Sequence, residues 1–494
     1  MKKSLLALTV FCLSLPLLQA QHFGDFPMIK KEKLLNDLDL LYQGLDKFHS
    51  GMYWYTPKDS VDLAFQEVRN SITDGLNVLE FHKRIAPLVA LSREDHTNVY
   101  LPKSTTEKLD AEAKYIPLTF AFLGTDLYCV KNGSDFQEFA LEGQQVESIN
   151  GETPIALANK LGSLFASDGY IKTVKYSDLE GFKFSRYYYY YYGQIDQVEI
   201  KFKGIKEPTI IYPLNIKTII KHLRERYTRD GKAKNRDLLE YEILSESIAY
   251  IGVHSFSNSD IREQSKEKNL KTFLRNSFRS IHENKITTLI VDMSENSGGS
   301  EGNEGLMYSY FGKNYQKYKK VRAKTQKAIL DNGVDKPIKL KTFGFLERLL
   351  MNKRNADGSL ERKASGRKGL MAYKKEPAHK FSGKVYVIIS PVTYSGGSEF
   401  SNMMYSRGLA TFVGQETGGG YLGNTSGYSE ELELPHSKIR IKIPALQFIM
   451  NVEPTLPFGA GVIPDHVVIP TFEQYNGGEN ASLQYILTQL ENDN

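Results

Sequence analysis

LIVDMSENSGG, from Leu289 to Gly299, and VYVIISPVTYSGGSEF, from Val385 to Phe400, are the two stretches that decide the fold of this chain. Each is a run of β-branched apolar residues that ends abruptly in small residues, which is the pattern of a buried strand followed by a tight turn. The second run places Ser395 where the strand gives way to a helix, a position that presents a nucleophile. Exposed amides at the start of that helix can stabilise an oxyanion. The sequence therefore predicts a sheet that carries a serine hydrolase site.

The segments before these strands have distinct patterns. Apolar residues recur at three- and four-residue spacing from residue 30 to residue 93, which predicts a helical domain. Strand-like segments, an Asn150-Gly151 turn and the amphipathic IALANKLGSLF follow; this order is found in PDZ-like modules, although Asn-Gly marks a hairpin in any fold. The six tyrosines from Tyr187 to Tyr192 predict an aromatic strand that packs on a core or offers a platform for sugar or peptide.

Strand and helix patterns alternate from residue 245 to residue 312 and again after residue 384, which predicts an α/β core split by an insertion. The insertion carries 20 Lys and Arg against 6 Asp and Glu, and we interpret it as a solvated cap or lid rather than a site for an acidic partner. The predicted segments are a signal peptide (1–20), an N-terminal helical domain (21–110), a PDZ-like module and linker (111–215), the first part of the core (216–312), the basic insertion or lid (313–380), the second part of the core (381–475) and a C-terminal helix (476–494).

Composition and the first residues restrict the compartment and the partners. MKKSLLALTVFCLSLPLLQA has the basic head, short apolar centre and small-residue end of a signal peptide cut after Ala20, so we expect a secreted protein with the periplasm as its compartment. Cys129 is then the only cysteine left, which excludes intramolecular disulfides. The net charge of +5 becomes +3 once Lys2 and Lys3 are removed, which gives no support to nucleic acid binding. We also expect no later membrane span.

Four motifs in one order give the chain a family resemblance. IVDMSENSGG, TYSGGSEF, LATFVGQETGGG and GVIPD resemble the motifs of the secreted C-terminal-processing (tail-specific) serine peptidases and of the related tricorn protease core. The resemblance extends over residues 115–470 when ESINGETP is counted as the family's PDZ-like part. It implies a multi-domain α/β protein with a crotonase-like split α/β peptidase core, a PDZ-like module and an N-terminal helical domain.

The resemblance implies that Ser395 is the nucleophile, since its spacing to VGQETGGG fits the family without a gap. Ser398 falls where many relatives have glutamate, and we expect it to cap the following helix. The oxyanion hole is expected from the backbone N–H of Gly396 and one N–H of the Gly298-Gly299 turn. A plain strand-to-helix turn would also favour glycine, so the residues alone leave that alternative open.

The serine needs a base, and the family offers two. The best-known relatives use a lysine about two dozen residues after the serine, where this chain has Gly418-Gly419-Gly420 and therefore no Ser-Lys dyad. The tricorn-like branch uses a histidine, and SREDHTNVYL resembles its motif, with Asp95-His96-Thr97 in the matching place. His96 is therefore the expected base, because an imidazole with a pKa of about 6.5 can take a proton and return it near neutral pH.

A carboxylate should orient that imidazole. The resemblance places Glu453 in the region of the tricorn-like glutamate, with Asp95 and Asp292 as alternatives. Asp292 is expected to brace the glycine turn, and Asp465 to be structural. No histidine pair has the His-Glu-x-x-His spacing of a zinc peptidase, so we expect neither a metal nor another cofactor.

These patterns predict a secreted serine endopeptidase that hydrolyses peptide bonds of a peptide or protein substrate. Ser395 would attack, His96 would act as general base, and the glycine amides would hold the oxyanion. The alternative is a non-catalytic ligand- or peptide-binding protein on the same fold, because glycine loops and a cleft serve binding equally well. A scaffold of an envelope assembly is a further alternative. The oligomeric state has no signature in the sequence.

Overall fold

The computed structural model describes residues 23–135, 141–227, 237–313, 316–330, 352–363 and 376–492. The predicted signal peptide, 1–20, lies outside these ranges. Within them the chain is a mixed α/β protein with several sheets, which confirms the predicted fold class. Among the helices of these ranges, none has the length and apolar character needed to span a bilayer.

Three helices begin the fold, as the apolar spacing predicts. They are α1 (Lys31–Phe48), α2 (Lys58–Ser71) and α3 (Val78–Ala90). The stripe predicted on α1 is buried, with Leu34 and Leu41 fully inaccessible to solvent. α3 starts with a capping box between Asn77 and Glu80. After α3 the chain leaves the helical layer through residues 91–97 and continues into β1 (Asn98–Tyr100) and α4 (Lys103–Glu112).

A second unit contains an antiparallel sheet in the order β3-β4-β5-β6-β7. The predicted strand, Asn150-Gly151 turn and helix are present, and both turn residues have positive φ. The strands and helices of this unit are β2 (Lys114–Tyr115), β3 (Leu118–Leu123), β4 (Asp126–Asn132), β5 (Gln145–Ile149), α5 (Pro154–Gly162), α6 (Thr173–Asp178), α7 (Phe182–Tyr192), β6 (Val198–Phe202), β7 (Thr209–Ile211), β8 (Leu214–Asn215) and α8 (Ile216–Tyr227).

The tyrosine run is helical, so the predicted aromatic strand is wrong. It forms most of α7, whose rings pack into two cores on different sides of the helix. Tyr189 and Tyr190 join the core of the N-terminal helices, while Phe184 and Tyr188 join the core of the five-stranded sheet. A helix buried between two apolar layers can be aromatic all round, and this burial outweighs the strand preference of tyrosine.

The core sheet that follows has the order β19-β16-β15-β11-β10-β9, and all neighbours except β9 and β10 pair in parallel. The core begins at β9 and not at residue 216, because Ile219 of α8 packs with the N-terminal helices. The elements of this layer are β9 (Leu239–Ile243), β10 (Ile248–Val253), α9 (Asn258–Gln264), α10 (Leu270–Glu283), β11 (Thr288–Asp292), α11 (Asn303–Tyr308), β15 (Lys384–Ile389), α13 (Gly396–Ser406), β16 (Thr411–Gly414), β19 (His466–Val467), α14 (Phe472–Gly477) and α15 (Ala481–Asn492).

A second sheet packs beside the parallel one and takes part of its edge from the basic segment. Its members are β1, β12 (Tyr318–Ala323), β13 (Asn352–Arg354), β14 (Leu360–Arg362), β17 (Gly423–Glu433) and β18 (Arg440–Met450), with α12 (Gln326–Leu330) beside them. Because β12 pairs with β18 and buries Tyr318 and Val321, the start of segment 313–380 belongs to the core and not to a solvated lid. The rest of the segment interpreted as a lid, residues 324–380, lies partly outside the described residues.

One buried carboxylate joins the helical layer to the second sheet. Asp37 of α1 is fully buried and accepts the backbone N–H groups of His436 and Ser437, at 3.1 and 2.7 Å, in the turn between β17 and β18. We expect Asp37→Ala to lower the free energy of unfolding by about 3 kcal/mol, because two buried donors lose their acceptor. Urea denaturation would measure this. Asp39→Ala on the same helix, where the carboxylate is half exposed, should change it by about 0.5 kcal/mol.

Candidate active site

Parallel pairing of β11 with β15 brings the two glycine turns into contact. The carboxyl ends of parallel neighbours meet at one edge of a sheet, and here Asp292 pairs with Ile388. Beyond the strands, the N–H of Tyr394 donates to the carbonyl oxygen of Asn296 at 3.0 Å. A Cβ built on Gly397 would lie 2.2 Å from the same oxygen. The turns therefore touch through their backbones and leave no room for side chains between them.

Ser395 has a backbone conformation that favours glycine. It precedes the first residue of α13 with φ 47° and ψ −120°, and its side chain makes no capping hydrogen bond. A non-glycine residue in such a region costs of order 1–3 kcal/mol, and such strain concentrates at functional sites. The Ser395 hydroxyl therefore does not cap the helix, and it lies beside the Gly298 turn, since a Cβ built on Gly298 would be 3.1 Å from the Ser395 Oγ.

Ser398 does not cap the helix, so that expectation is wrong. It lies inside α13, and its hydroxyl donates to the Ser395 carbonyl oxygen at 2.8 Å. Ser398 is 1% exposed, whereas Ser395 is partly exposed. A substrate can therefore reach Ser395 but not Ser398.

The predicted oxyanion donors lie beside Ser395. A Cβ built on Gly298 would lie 2.6 Å from the Ser395 Cβ and 2.9 Å from the Gly396 nitrogen. With φ +102° as well, Gly298 has to be glycine. Its own N–H donates to Asn296 Oδ1 at 2.9 Å. Within the described ranges the N–H groups of Gly396 and Gly299 donate to no acceptor, which leaves these two as the candidate donors.

The triple-glycine loop packs directly on the nucleophile turn. A Cβ on Gly418 would lie 2.1 Å from the Pro391 carbonyl oxygen, and one on Gly419 would lie 2.1 Å from the Ser398 hydroxyl. Neither position has space for a side chain. The loop therefore packs on the nucleophile turn through its backbone.

The loop that carries His96 is anchored on three sides. Glu94, fully buried, accepts the N–H and the hydroxyl of Thr425 at 2.7 and 2.9 Å. The N–H of Thr97 donates to the Glu94 carbonyl oxygen, and the Thr97 hydroxyl bonds His49 Nε2 at 2.8 Å. The third anchor is a carboxylate that sequence reasoning missed.

Asp168 joins the His96 loop to the triple-glycine loop. Its Oδ1 accepts the Asp95 N–H at 2.9 Å, and its Oδ2 accepts the Gly420 N–H at 3.1 Å. We call these two hydrogen bonds the Asp168 clamp. A Cβ on the adjacent Gly419 would lie 3.3 Å from the Ser395 nitrogen, so the clamped loop contacts the nucleophile turn. Burial raises the pKa of Asp168 to about 6, although the two hydrogen bonds oppose the shift. A lone aspartate in a loop has no periodic signature by which the sequence could have revealed it.

The electrostatics of the loop favour a neutral histidine. Burial, and then the charge of Lys442, lower the pKa of His96 to about 4, so its ring is neutral at neutral pH. Its Nδ1 is buried and has no hydrogen-bond partner among the described residues. Within the described ranges, no hydrogen bond joins the His96 ring to the Ser395 hydroxyl. Burial and Asp168 raise the pKa of the neighbouring Asp95 to about 7.

The structure does not bring Glu453 to the other site residues. Its side chain is exposed, and its backbone N–H donates to the hydroxyl of Ser406, the last residue of α13. Ser395 precedes the first residue of the same helix, about 16 Å away along its axis at a rise of roughly 1.5 Å per residue. The position of Glu453 therefore gives no support to its predicted role beside His96.

The other acids have the structural contacts that we expect. Asp292 is fully buried and accepts the N–H and hydroxyl of Ser294, which braces the glycine turn. Asp465 accepts the N–H of Phe412 at 2.7 Å. Three other carboxylates, Glu301, Glu304 and Glu399, have oxygens within 4.8 Å of one another, a spacing that suits a metal ion. Their common partner is the ammonium of Lys317, which already supplies the cation.

A cavity of about 550 Å³ adjoins the His96 loop. Asp95 and Thr97 line one side of it, and Phe165, Asp178 and Tyr187 line another. Its walls are aromatic and aliphatic with charged groups among them, which is the composition of a ligand pocket.

Comparisons with known proteins find one matching family model and several solved structures of similar fold. The model of peptidase family S41 matches residues 247–468. Comparison with curated proteins finds no match for the chain. Mature CPAF complexed with lactacystin aligns with a TM-score of 0.61 and 13% identity, over 94% of this chain and 99% of that chain. Mature CPAF alone gives 0.59 and 14%, over 94% and 98%. A putative peptidase from Parabacteroides merdae ATCC 43184 gives 0.46 and 14%, over 92% and 96%.

The two CPAF structures show that this chain shares their fold. Sequence identity of 13–14% supports no conclusion beyond the fold. The family match is more specific because it starts at β10, ends at β19 and includes both glycine turns and the triple-glycine loop. Residues 247–468 are therefore similar to peptidase family S41, and this match supports a serine-type peptidase.

Proposed function

We propose that the protein is an endopeptidase in which Ser395 is the nucleophile and His96 the general base. The Ser395 Oγ attacks a peptide carbonyl while its proton passes to His96. The N–H groups of Gly396 and Gly299 then hold the oxyanion of the tetrahedral intermediate. His96 returns the proton to the leaving amine, and water, activated by the same imidazole, hydrolyses the acyl-enzyme.

The observation that carries this proposal is the Asp168 clamp. Two segments far apart in sequence are joined by one buried carboxylate whose two oxygens accept Asp95 N–H and Gly420 N–H. One loop supplies the imidazole, and the other packs on the nucleophile turn. A hydrogen bond between base and nucleophile commonly tightens only when substrate binds, so the fixed loops matter more than the distance in the free enzyme.

The protonation state of His96 is compatible with the same assignment. A base must be unprotonated before it accepts the serine proton, and a pKa of about 4 leaves His96 neutral at pH 7, although it also makes the imidazole a weaker base than an unperturbed histidine. The cavity beside the loop, which Asp95 and Thr97 line, offers a place for substrate side chains. Its open, mixed lining suits a segment of polypeptide.

We also propose that the enzyme acts outside the cytoplasm, in the periplasm. The support is the first twenty residues, which have the charge, length and cleavage-site pattern of a signal peptide. Mass spectrometry of the exported protein should then find Gln21 at its N-terminus. An exported chain that retains residues 1–20 would contradict the cleavage.

The experiment that tests the proposed reaction uses the wild-type protein. A serine-reactive fluorophosphonate should label it, and trypsin digestion should place the adduct on the peptide from Val385 to Arg407. The same preparation should cleave an unstructured protein such as casein at internal bonds. Folded protein that neither labels nor cleaves would favour the non-catalytic binding protein. Label on another peptide would reject Ser395.

A further inference from the structure

Lys317 is a buried lysine that the proposed reaction does not use. It lies at the start of the basic segment, immediately before β12, and it is 1% exposed. Burying an ammonium is costly unless carboxylates pair with it. Here three do: its Nζ lies 2.6 Å from Glu301 Oε1, 2.5 Å from Glu304 Oε1 and 3.0 Å from Glu399 Oε2. The attraction of these carboxylates holds the pKa of Lys317 well above its usual range despite burial, so the group is a permanent cation.

The three carboxylates follow, along the chain, the two turns that form the candidate oxyanion hole. Glu301 and Glu304 follow the Gly298-Gly299 turn, and Glu304 also accepts the Gly302 N–H at 2.9 Å. Glu399 lies in α13 one helical turn after Ser395, and its own N–H donates to the Ser395 carbonyl oxygen at 2.8 Å. The ammonium therefore connects the helix that carries the nucleophile to the turn that faces it.

The contact reaches close to one of the donors. A Cβ built on Gly396 would lie 3.9 Å from Glu304 Oε2. Glu399 is also fixed from a second side, because its Oε1 accepts the Tyr318 hydroxyl at 2.8 Å. The Lys317 ammonium lies over the Tyr318 ring, 4.4 Å from its centre. The partners of the ammonium therefore link β12 of the second sheet to α11 and α13 of the parallel-sheet layer, next to Gly396.

Stability alone is a poor explanation for this cluster. A buried ion pair is commonly no more stabilising than apolar residues of the same volume. An ion pair does fix geometry, because each hydrogen bond has a set length and direction. Here it sets the spacing between two backbone segments whose amides must converge on a single oxygen, and a misplacement of about 1 Å at such a site can cost about 100-fold in rate.

We propose that Lys317 is a positioning residue for the oxyanion hole. Through Glu304 and Glu399 it holds the Gly298-Gly299 turn against the start of α13, so that the N–H groups of Gly396 and Gly299 face the same point. The inference rests on the proposed function for its catalytic meaning. It also gives the first residues of the basic segment a role in the site, which the sequence alone does not suggest.

Steady-state kinetics test the inference with three full-length variants. Lys317→Met should lower kcat by about 10- to 100-fold and change KM by less than about threefold. The reason is that the oxyanion donors bind the transition state more strongly than the bound substrate. Glu399→Gln should have the same kind of effect and keeps the size of the side chain. Lys320→Met in the same segment replaces an exposed lysine and should leave both constants unchanged. Folded Lys317→Met and Glu399→Gln with kcat within twofold of wild type would overturn the proposal.

Circular dichroism and thermal unfolding establish which variants are folded at the assay temperature. If Lys317→Met does not fold, Glu399→Gln decides, since the amide oxygen can still accept from Tyr318 and only one charge is removed. The total activity of a variant could also fall only because less of the protein is folded. If kcat per folded molecule were then equal to that of wild type, the positioning role would be overturned.

Amide hydrogen exchange separates this proposal from the proposed reaction. In a Ser395→Ala background, which needs no activity, Lys317→Met should speed exchange in the peptides that contain Gly299 and Gly396, and Lys320→Met should not. Unchanged exchange would overturn the positioning role even in an active enzyme. Exchange could be faster in Lys317→Met while the wild-type protein neither labels nor cleaves. The connection between the two turns would then be supported, and the serine mechanism would be rejected.

Discussion

Ser395→Ala is expected to lower kcat for peptide hydrolysis by about 10⁶-fold and to abolish fluorophosphonate labelling. The bend at Ser395, with φ 47°, presents the hydroxyl beside the turn of Gly298. Alanine removes the attacking oxygen and leaves the glycine amides in place, so substrate should still bind with a similar affinity. Hydrolysis of a fluorogenic peptide and direct binding of that peptide measure the two effects separately.

Ser398→Ala is the matched control for this prediction. Its hydroxyl is three residues away in the same helix, but it donates to the Ser395 carbonyl oxygen and lies under Gly419. We expect this variant to label with the phosphonate and to retain kcat within about tenfold, since only one neutral hydrogen bond is lost. If Ser398→Ala abolished labelling and Ser395→Ala did not, the nucleophile would have to be reassigned.

The parts of the site that the sequence predicts are those with local signals. A β-branched run followed by small residues predicts a strand and its turn, and parallel strands place their carboxyl ends at one edge. This is why the contact between the turn of Gly298 and Ser395 was predictable. The position of the triple-glycine loop followed from motif spacing, and the structure adds the reason for it: side chains at Gly418 and Gly419 would overlap the nucleophile turn.

The residues that the sequence could not predict act through tertiary contacts. Asp168 and Lys317 are single charged residues in irregular segments, and only the folded chain shows that each joins two loops of the site. Glu453 fits a family position along the sequence, yet its backbone lies at the far end of α13. Tyr187–Tyr192 has strand-forming composition, but two flanking cores select a helix. In each case long-range packing decided the result, and composition does not record it.

The position of the His96 loop has a consequence for the pH dependence. His96 must be neutral to act, and its pKa is lowered to about 4 by burial and by Lys442. We therefore expect kcat/KM to rise as pH increases through about 4. With an unperturbed histidine as base, the midpoint of this rising limb of the pH profile would lie at about 6.5. Lys442→Gln removes the nearby positive charge, favours the protonated ring and should move this limb to higher pH. Lys438→Gln, an exposed change in the same hairpin, should leave it in place.

His96→Gln is expected to lower kcat by about 10⁶-fold, similar to the loss in Ser395→Ala, because the two groups act as a unit. Glutamine keeps much of the ring's volume but cannot accept the serine proton at neutral pH. The anchors of Glu94, Asp95 and Thr97 should hold the loop in the variant, so its unfolding transition should stay near that of wild type. The double variant with Ser395→Ala should be no slower than either single variant, since losses within one catalytic unit do not add. If His96→Gln kept most of its activity while Asp95→Asn lost it, the carboxyl of Asp95, whose pKa is raised to about 7, would be the base instead.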